Sequence, residues 1–266
     1  MAKDFIVAIE LGSSKLTGIA GRKNPDGSIS ILAVAKEDSA SYIRKGVAYN
    51  IERTAQGLSN IVSKLKNTLK TEIEQVYVGI GGQSIHSVKN SIVKELPLDC
   101  IVSQDMVNEL MDTNRSMEYK DCEILDAITQ EYNVDGHYED DPVGIQARHR
   151  EGNFLNVLWR RSFYRNLNKG LDNSGIKVAE MYLAPLTMAD CVLTDAEKRA
   201  GCVLVDLGAD TTTVSVYYRN KLRHIAVLPL GGSNVTKDLE SLQIDEINAE
   251  AMKLKHASAL TNEKDI

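Results

Sequence analysis

The same pattern of residues occurs near both ends of this chain of 266 residues. An apolar run, an acid, Leu-Gly, a polar turn and a second apolar run make up residues 6–20 and recur in residues 203–217, with Glu10 and Asp206 as the acids. Two apolar runs joined by a short glycine-containing turn are typical of a β-hairpin. The repetition therefore predicts two related halves, each built around one hairpin.

Both turns have the chemistry of a phosphate site. Glycine allows successive backbone N–H groups to point into one concavity, which binds anions, and Lys15 adds a positive charge. The acids before the glycines cannot bind phosphate directly, so Glu10 and Asp206 suggest a hydrated magnesium ion between them and a nucleotide. The residues expected around the phosphates are Gly12, Ser13, Ser14 and Lys15 in the first hairpin, and Gly208, Ala209, Asp210, Thr211 and Thr212 in the second.

The alternative is that both are ordinary hairpin turns, which are common in β-rich proteins. Either copy alone fits this alternative. Because the acid, the Leu-Gly pair, the polar turn and a third strand recur together in the same order, we favour two phosphate-binding hairpins that close around one triphosphate.

The segments after the first hairpin predict a layered α/β domain. A turn at residues 24–27 leads to a third strand, and Asn50 precedes a helix. Its apolar residues recur at helical spacing and are Leu58, Ile61, Val62, Leu65, Leu69 and Ile73. Residues 76–80 read as a buried strand that ends at Gly81.

Residues 84–160 differ from the preceding segments in their predicted secondary structure, with shorter strands and a helix from Gln104 capped by Ser103. We interpret this region as an inserted subdomain, after which a strand at residues 154–159 returns the chain to the main domain. The segments that follow are predicted to be a helix capped by Ser162 and stopped at Gly175, a strand at 178–183, a helix at 185–194, a strand at 222–228 after the second hairpin, and helices at 235–242 and 246–257.

Charge and composition exclude several classes of protein. With 37 acidic and 31 basic side chains the net charge is −6, so the chain has no broad basic field for nucleic acid. Its four cysteines and five histidines have neither disulfide-framework nor zinc spacing. No segment approaches the roughly 20 apolar residues of a membrane span, and we expect a cytoplasmic protein.

The two hairpins resemble the phosphate-binding motifs of the actin, Hsp70 and sugar kinase superfamily. Residues 128–132, 142–145 and 231–239 further resemble stretches of the FtsA family of bacterial cell-division proteins, in the same order and rough spacing. The resemblance implies an α/β, actin-like (ribonuclease H-like) domain with an inserted α+β subdomain and a partial second actin-like domain.

The same resemblance implies the domain boundaries. Subdomain 1A would comprise residues 1–83 and 153–197, the inserted subdomain 1C residues 84–152, and a partial subdomain 2A residues 198–266, with subdomain 2B and a C-terminal membrane helix absent. The cofactors implied are ATP and Mg²⁺. Gly231, Gly232 and Ser233 would join the nucleotide site, and Glu250 and Lys253 match family positions beside the ribose.

The function implied is a self-assembling protein that links the FtsZ ring, with other divisome proteins, to the inner face of the cytoplasmic membrane. At most a weak ATPase activity is expected. Because the adenine pocket and the FtsZ contacts of this family lie largely in the absent part, we expect this chain to bind ATP poorly. It also departs from the family pattern, with Glu10 where Asp is usual and Ala209-Asp210 where relatives often have a second glycine.

Two alternatives share the superfold. A sugar-kinase-like phosphotransferase would have similar phosphate hairpins, but it needs a catalytic acid, and no candidate acid stands out. An actin-like ATPase of pilus or secretion assembly can share the inserted subdomain, and the sequence separates it only weakly from the first hypothesis.

Overall fold

The computed structural model describes residues 5–260, and within them all side chains except those at 98 and 99. The strands are β1 (Ile6–Leu11), β2 (Lys15–Lys23), β3 (Ile29–Asp38), β4 (Ile43–Arg44), β5 (Val47–Ala48), β6 (Val76–Ile80), β7 (His86–Ile101), β8 (Cys122–Val134), β9 (His137–Glu139), β10 (Gln146–Arg160), β11 (Val178–Leu183), β12 (Cys202–Leu207), β13 (Thr212–Tyr218) and β14 (Lys221–Leu228). The helices are α1 (Ile51–Leu69), α2 (Gln104–Arg115), α3 (Arg161–Ser174), α4 (Ala184–Val192), α5 (Asp195–Ala200), α6 (Gly232–Glu240) and α7 (Glu246–His256).

The first half is a five-stranded sheet in the order β11-β6-β1-β2-β3. β1, β2 and β3 form the predicted antiparallel meander, and β6 and β11 extend it in parallel. Val7, Ile9 and Leu11 point into the core because side chains alternate along a strand. The predicted strands at 76–80 and 178–183 are confirmed.

Helix α1 covers one face of this sheet. Leu58, Ile61 and Leu65 are buried, and Ile61 packs so closely on Gly18 that a Cβ there would lie 2.5 Å from its Cγ2. The prediction that the helix reaches Ile73 is wrong. α1 ends at Leu69, where the next residue, Lys70, adopts a left-handed conformation (φ 54°) and terminates the helical hydrogen bonding.

The inserted region is a sheet of β7, β10, β8 and β9 packed against α2, which Ser103 caps as predicted. Its strands are long, with 16 residues in β7 and 15 in β10, so the prediction of shorter strands is wrong. The reason is that β10 serves two cores. Phe154 packs in the core of the insertion, whereas Leu155, Val157 and Trp159 pack in the main core, which the first half shares with β13 and β14.

Two predicted helix boundaries also differ. α3 begins at Arg161 without a side-chain cap, so Ser162 lies inside the helix, while Gly175 ends it with φ 67° as predicted. α4 ends at Val192, and Thr194 instead caps the short helix α5 by a reciprocal pair of hydrogen bonds with Glu197.

The second half begins with the predicted meander of β12, β13 and β14, followed by α6 and α7. β14 pairs with β7 at Ala226 and His86, so the meander and the insertion form one seven-stranded sheet. Within residues 5–260, no helix combines the length and the apolar character needed to cross a membrane.

Candidate phosphate-binding cleft

The two repeated hairpins have equivalent structures. In the ladder of each hairpin the acid is opposite a threonine, Glu10 opposite Thr17 and Asp206 opposite Thr213. Both glycines are required by a close approach to a carbonyl three residues later. A Cβ on Gly12 would lie 2.7 Å from the Lys15 oxygen, and one on Gly208 would lie 3.0 Å from the Thr211 oxygen.

Both turns present backbone donors that the described part of the chain does not use. Its hydrogen bonds involve neither the N–H groups of Ser13 and Ser14 nor those of Ala209 and Asp210. A backbone N–H group withdrawn from water without an acceptor is unfavourable, and adjacent N–H groups in a turn attract anions. Each hairpin therefore has the adjacent, unused backbone donors expected of a phosphate site.

The hairpins face each other across a cleft of about 830 Å³. Nine of the residues predicted from the sequence line it, namely Ser13, Ser14, Gly208, Ala209, Asp210, Gly232, Ser233, Glu250 and Lys253. The other predicted residues, Glu10, Gly12, Lys15, Asp206, Thr211, Thr212 and Gly231, belong to the same turns and strand ends but do not form the cleft wall.

Asp206 lies close enough to Glu10 to affect the charge of that carboxyl group. Partial loss of hydration raises the pKa of Glu10, the Asp206 carboxylate raises it further, and Lys15 opposes both effects. Among residues 5–260, no group of three His, Cys, Asp or Glu side chains is placed to hold a metal ion. Two carboxylates alone fit Mg²⁺ if water supplies most of its ligands, as is common for this ion.

The glycines before α6 act on the second hairpin. Gly232 and Ser233 donate their N–H groups to the carbonyl oxygens of Gly208 (2.9 Å) and Ala209 (2.7 Å), and the N–H of Gly231 is donated to the Asn234 side chain. A Cβ on Gly231 would lie 2.5 Å from the Ala209 oxygen. These residues therefore brace the hairpin, and their N–H groups are not free for phosphate.

Glu250 and Lys253 form a polar wall on α7. Lys253 Nζ lies 2.7 Å from Glu250 Oε2 and 3.2 Å from the Gly232 oxygen, and the Thr236 hydroxyl donates to Glu250 at 2.6 Å. The hydrogen bond from Lys253, followed by the one from Thr236, lowers the pKa of Glu250. The pair expected beside a ribose thus lies in the cleft and is held in a fixed orientation.

Sequence reasoning missed the turn between β4 and β5. The N–H of Gly46 donates to Ser13 Oγ at 2.8 Å, and the N–H of Lys45 donates to Asp210 Oδ2 at 3.1 Å. The turn thus touches both hairpins. The signal in the sequence was the Lys-Gly pair between the apolar residues Ile43 and Val47. The cleft wall also includes Asp38, Arg44 and Lys237, which sequence reasoning did not select.

Comparison with protein families gives two matches. Residues 203–266 match the family described as cell division protein FtsA, and residues 82–158 match the SHS2 domain inserted in FtsA. The chain is 34% identical to FtsA of Porphyromonas gingivalis over 260 residues and 27% identical to FtsA of Escherichia coli K12 over 263 residues. These matches cover 96% and 97% of this chain, which spans 54% and 62% of the respective relatives.

Solved structures show the same fold at low sequence identity. A chain of the PilM-PilN type IV pilus biogenesis complex matches with a TM-score of 0.63 and 15% identity, covering 94% of this chain and 69% of that one. MreB5 of Spiroplasma citri bound to ADP matches with a TM-score of 0.52 and 10% identity, covering 98% and 65%. The predicted actin-like α/β fold with an inserted subdomain is confirmed.

Proposed function

This chain belongs to the FtsA family of actin-like cell-division proteins, and on that premise we propose that its cleft is the phosphate-binding part of a nucleotide site. The observation that carries the proposal is the pair of equivalent hairpins, in which Ser13, Ser14, Ala209 and Asp210 line one cleft with N–H groups that the described part of the chain does not use. Such donors favour a phosphate chain because they can contact it from both sides.

ATP with Mg²⁺ is the ligand that we propose. Glu10 and Asp206 would hold the ion through its bound water, and Glu250 and Lys253 would contact the ribose. The likeness in fold to MreB5, whose structure contains ADP, supports a purine nucleotide. Any hydrolysis is expected to be slow, since among residues 5–260 no side chain stands out as a catalytic base.

We further propose the cellular role and domain boundaries that the family suggests. The protein would assemble with copies of itself, bind FtsZ and other divisome proteins, and act at the inner face of the cytoplasmic membrane. Residues 1–83 and 153–197 would form subdomain 1A, residues 84–152 subdomain 1C and residues 198–266 part of 2A. The boundary at residue 153 would then fall within β10.

Calorimetric titration of the 266-residue chain with Mg-ATP and with inorganic triphosphate tests the nucleotide site. We expect weak binding of both ligands, with similar affinities, because the groups available here contact phosphate and ribose more than the base. Gly208→Val should abolish the binding of both ligands, since the valine side chain would press on the Thr211 carbonyl.

Two results would contradict the proposal. Low-micromolar affinity for Mg-ATP, with none for triphosphate, would mean that a base pocket within this chain dominates binding. Failure of every phosphate compound to bind at millimolar concentration would remove the proposed site.

A further inference from the structure

A hydrogen bond joins the two halves of the cleft. The backbone N–H of Lys45, in the first half, donates to the Asp210 carboxylate in the second half at 3.1 Å. The two residues are 165 positions apart in the sequence. This contact therefore depends on how far the cleft is closed.

The Lys45 side of the contact is held rigidly. Lys45 (φ 52°) and Gly46 (φ 72°) form a two-residue turn of the type I′ class, which joins β4 to β5. Gln83 donates its N–H to the Lys45 carbonyl at 2.8 Å. A Cβ on Gly46 would lie 2.4 Å from the Gly82 Cα, so the turn packs directly against the loop that contains Gly82. The direction of the Lys45 N–H is thereby fixed.

The Asp210 side of the contact places a negative charge at the anion site. In the repeat Asp210 is equivalent to Ser14, and its own N–H is among the free donors of the second hairpin. Its carboxylate lines the cleft that would hold the phosphates. Like charges brought together in a confined site repel strongly. A phosphate group in the cleft would therefore be repelled by this carboxylate and would compete with it for the Lys45 N–H group.

We propose that Asp210 and Lys45 form a latch across the cleft that opens when a phosphate group enters. Opening transfers the Lys45 N–H from the carboxylate to a phosphate oxygen, while Asp210 turns toward solvent. The latch is a regulatory feature of the proposed nucleotide site and rests on that proposal. It makes the affinity for a ligand depend on the ligand's charge.

Amide hydrogen exchange without ligand tests the closed contact, using Asp210→Asn and Asp210→Ala. The asparagine retains an oxygen that accepts the Lys45 N–H, whereas alanine removes it. We expect the Lys45 amide to exchange about tenfold faster in the alanine variant than in the wild-type protein and the asparagine variant. In the alanine variant this amide lacks the hydrogen bond that must otherwise open before exchange. The Gly46 amide, bonded to Ser13, is the internal reference and should not change. Equal Lys45 rates in all three proteins would overturn the latch.

Titrations at one ionic strength test the competition. Both substitutions remove the charge, so Mg-ATP should bind about tenfold more tightly to each, with a smaller gain for Mg-ADP and none for adenosine. Glu118→Gln is the matched control, since it removes one negative charge from an exposed loop after α2. An equal gain in this control, or no gain in either Asp210 variant, would overturn the competition.

The two proposals fail in different ways. If no phosphate compound binds to any of the proteins, the nucleotide site and the opening step are both refuted, and the exchange rates alone decide whether the closed contact exists. If the wild-type chain binds Mg-ATP and the Asp210 variants bind it equally well, the nucleotide site stands and the latch does not.

Discussion

Glu10 carries its negative charge where the surroundings disfavour it. Reduced hydration and the nearby Asp206 raise its pKa above the ordinary value of 4.5, so its ionised form destabilises the fold at neutral pH. Glu10→Gln should therefore raise the melting temperature at neutral pH. The gain should shrink as the pH falls through the folded pKa and should vanish below 4.5, where Glu10 is protonated in both states.

Glu250→Gln is the control with the opposite sign. Its carboxylate is stabilised by Lys253 and Thr236, which lower its pKa, so this substitution should lower the melting temperature at neutral pH. That loss should disappear as the pH falls through the lowered pKa. Destabilisation by Glu10→Gln at neutral pH would contradict the explanation given for Glu10.

Individual site residues were predictable to the extent that they belong to the repeat. The acids, the glycines and the polar turns could be identified because two copies of one pattern are improbable by chance. What the N–H groups of Gly232 and Ser233 bind could not be predicted, because their acceptors lie in another turn more than twenty residues away. Spacing along the chain does not specify such contacts.

The hairpin of β4 and β5 depends on Gly46 for two separate reasons. The residue has a positive φ, and a Cβ there would collide with Gly82. Gly46→Ala should lower the free energy of unfolding by about 3 kcal/mol, measured by urea denaturation.

Gly27→Ala separates the two effects. Gly27 also has a positive φ (85°), but a Cβ there meets no atom within 4 Å among the described residues, so only the conformational cost of about 1 kcal/mol applies. If both substitutions cost the same, the close approach of Gly46 to Gly82 does not contribute to stability.

Long helices and strands were easier to predict from the sequence than short ones, because a longer element shows its characteristic residue pattern over more positions. α1 shows helical spacing over several turns, and β1 is an apolar run of several residues that leads into a glycine-containing turn, so both could be recognised. β4 and β5 have two residues each, which is too short to show alternation, and α5 has only six. The capping pair Thr194 and Glu197 was the available signal for α5.

The insertion contacts both halves of the molecule. Gln130, buried on β8, donates to the Leu222 carbonyl and accepts from Arg223, both on β14, at 3.0 Å each. Gln130→Ala leaves these partners without their bonds and should lower the free energy of unfolding by about 1–3 kcal/mol. Amide exchange should also become faster in β8 and β14 together, because the contact belongs to both.

Gln104→Ala provides the matched control, since Gln104 is exposed on α2 and its side chain bonds, among the described residues, only to Asn108 of its own helix. Its cost should stay within about 0.5 kcal/mol. Faster exchange confined to β8 in the Gln130 variant would show that the second half does not depend on this contact.

The arrangement of the whole chain was predicted in outline, since a repeat at both ends indicates two halves and the change in predicted secondary structure indicates an insertion. The contacts between these parts could not be predicted. They involve polar pairs such as Gln130 with Arg223 and Lys45 with Asp210, which join distant segments and follow no local periodicity.

Strand β10 makes the insertion inseparable from its host. The Trp159 indole donates to the Gln83 carbonyl at 3.0 Å, so the chain leaves and re-enters the first half at one point. Adjacent residues, Phe154 and Leu155, belong to different cores. A chimera that exchanges the insertion between relatives must therefore carry the whole strand through Arg160 and match two sets of packing partners, which restricts which modules evolution or an engineer can transplant.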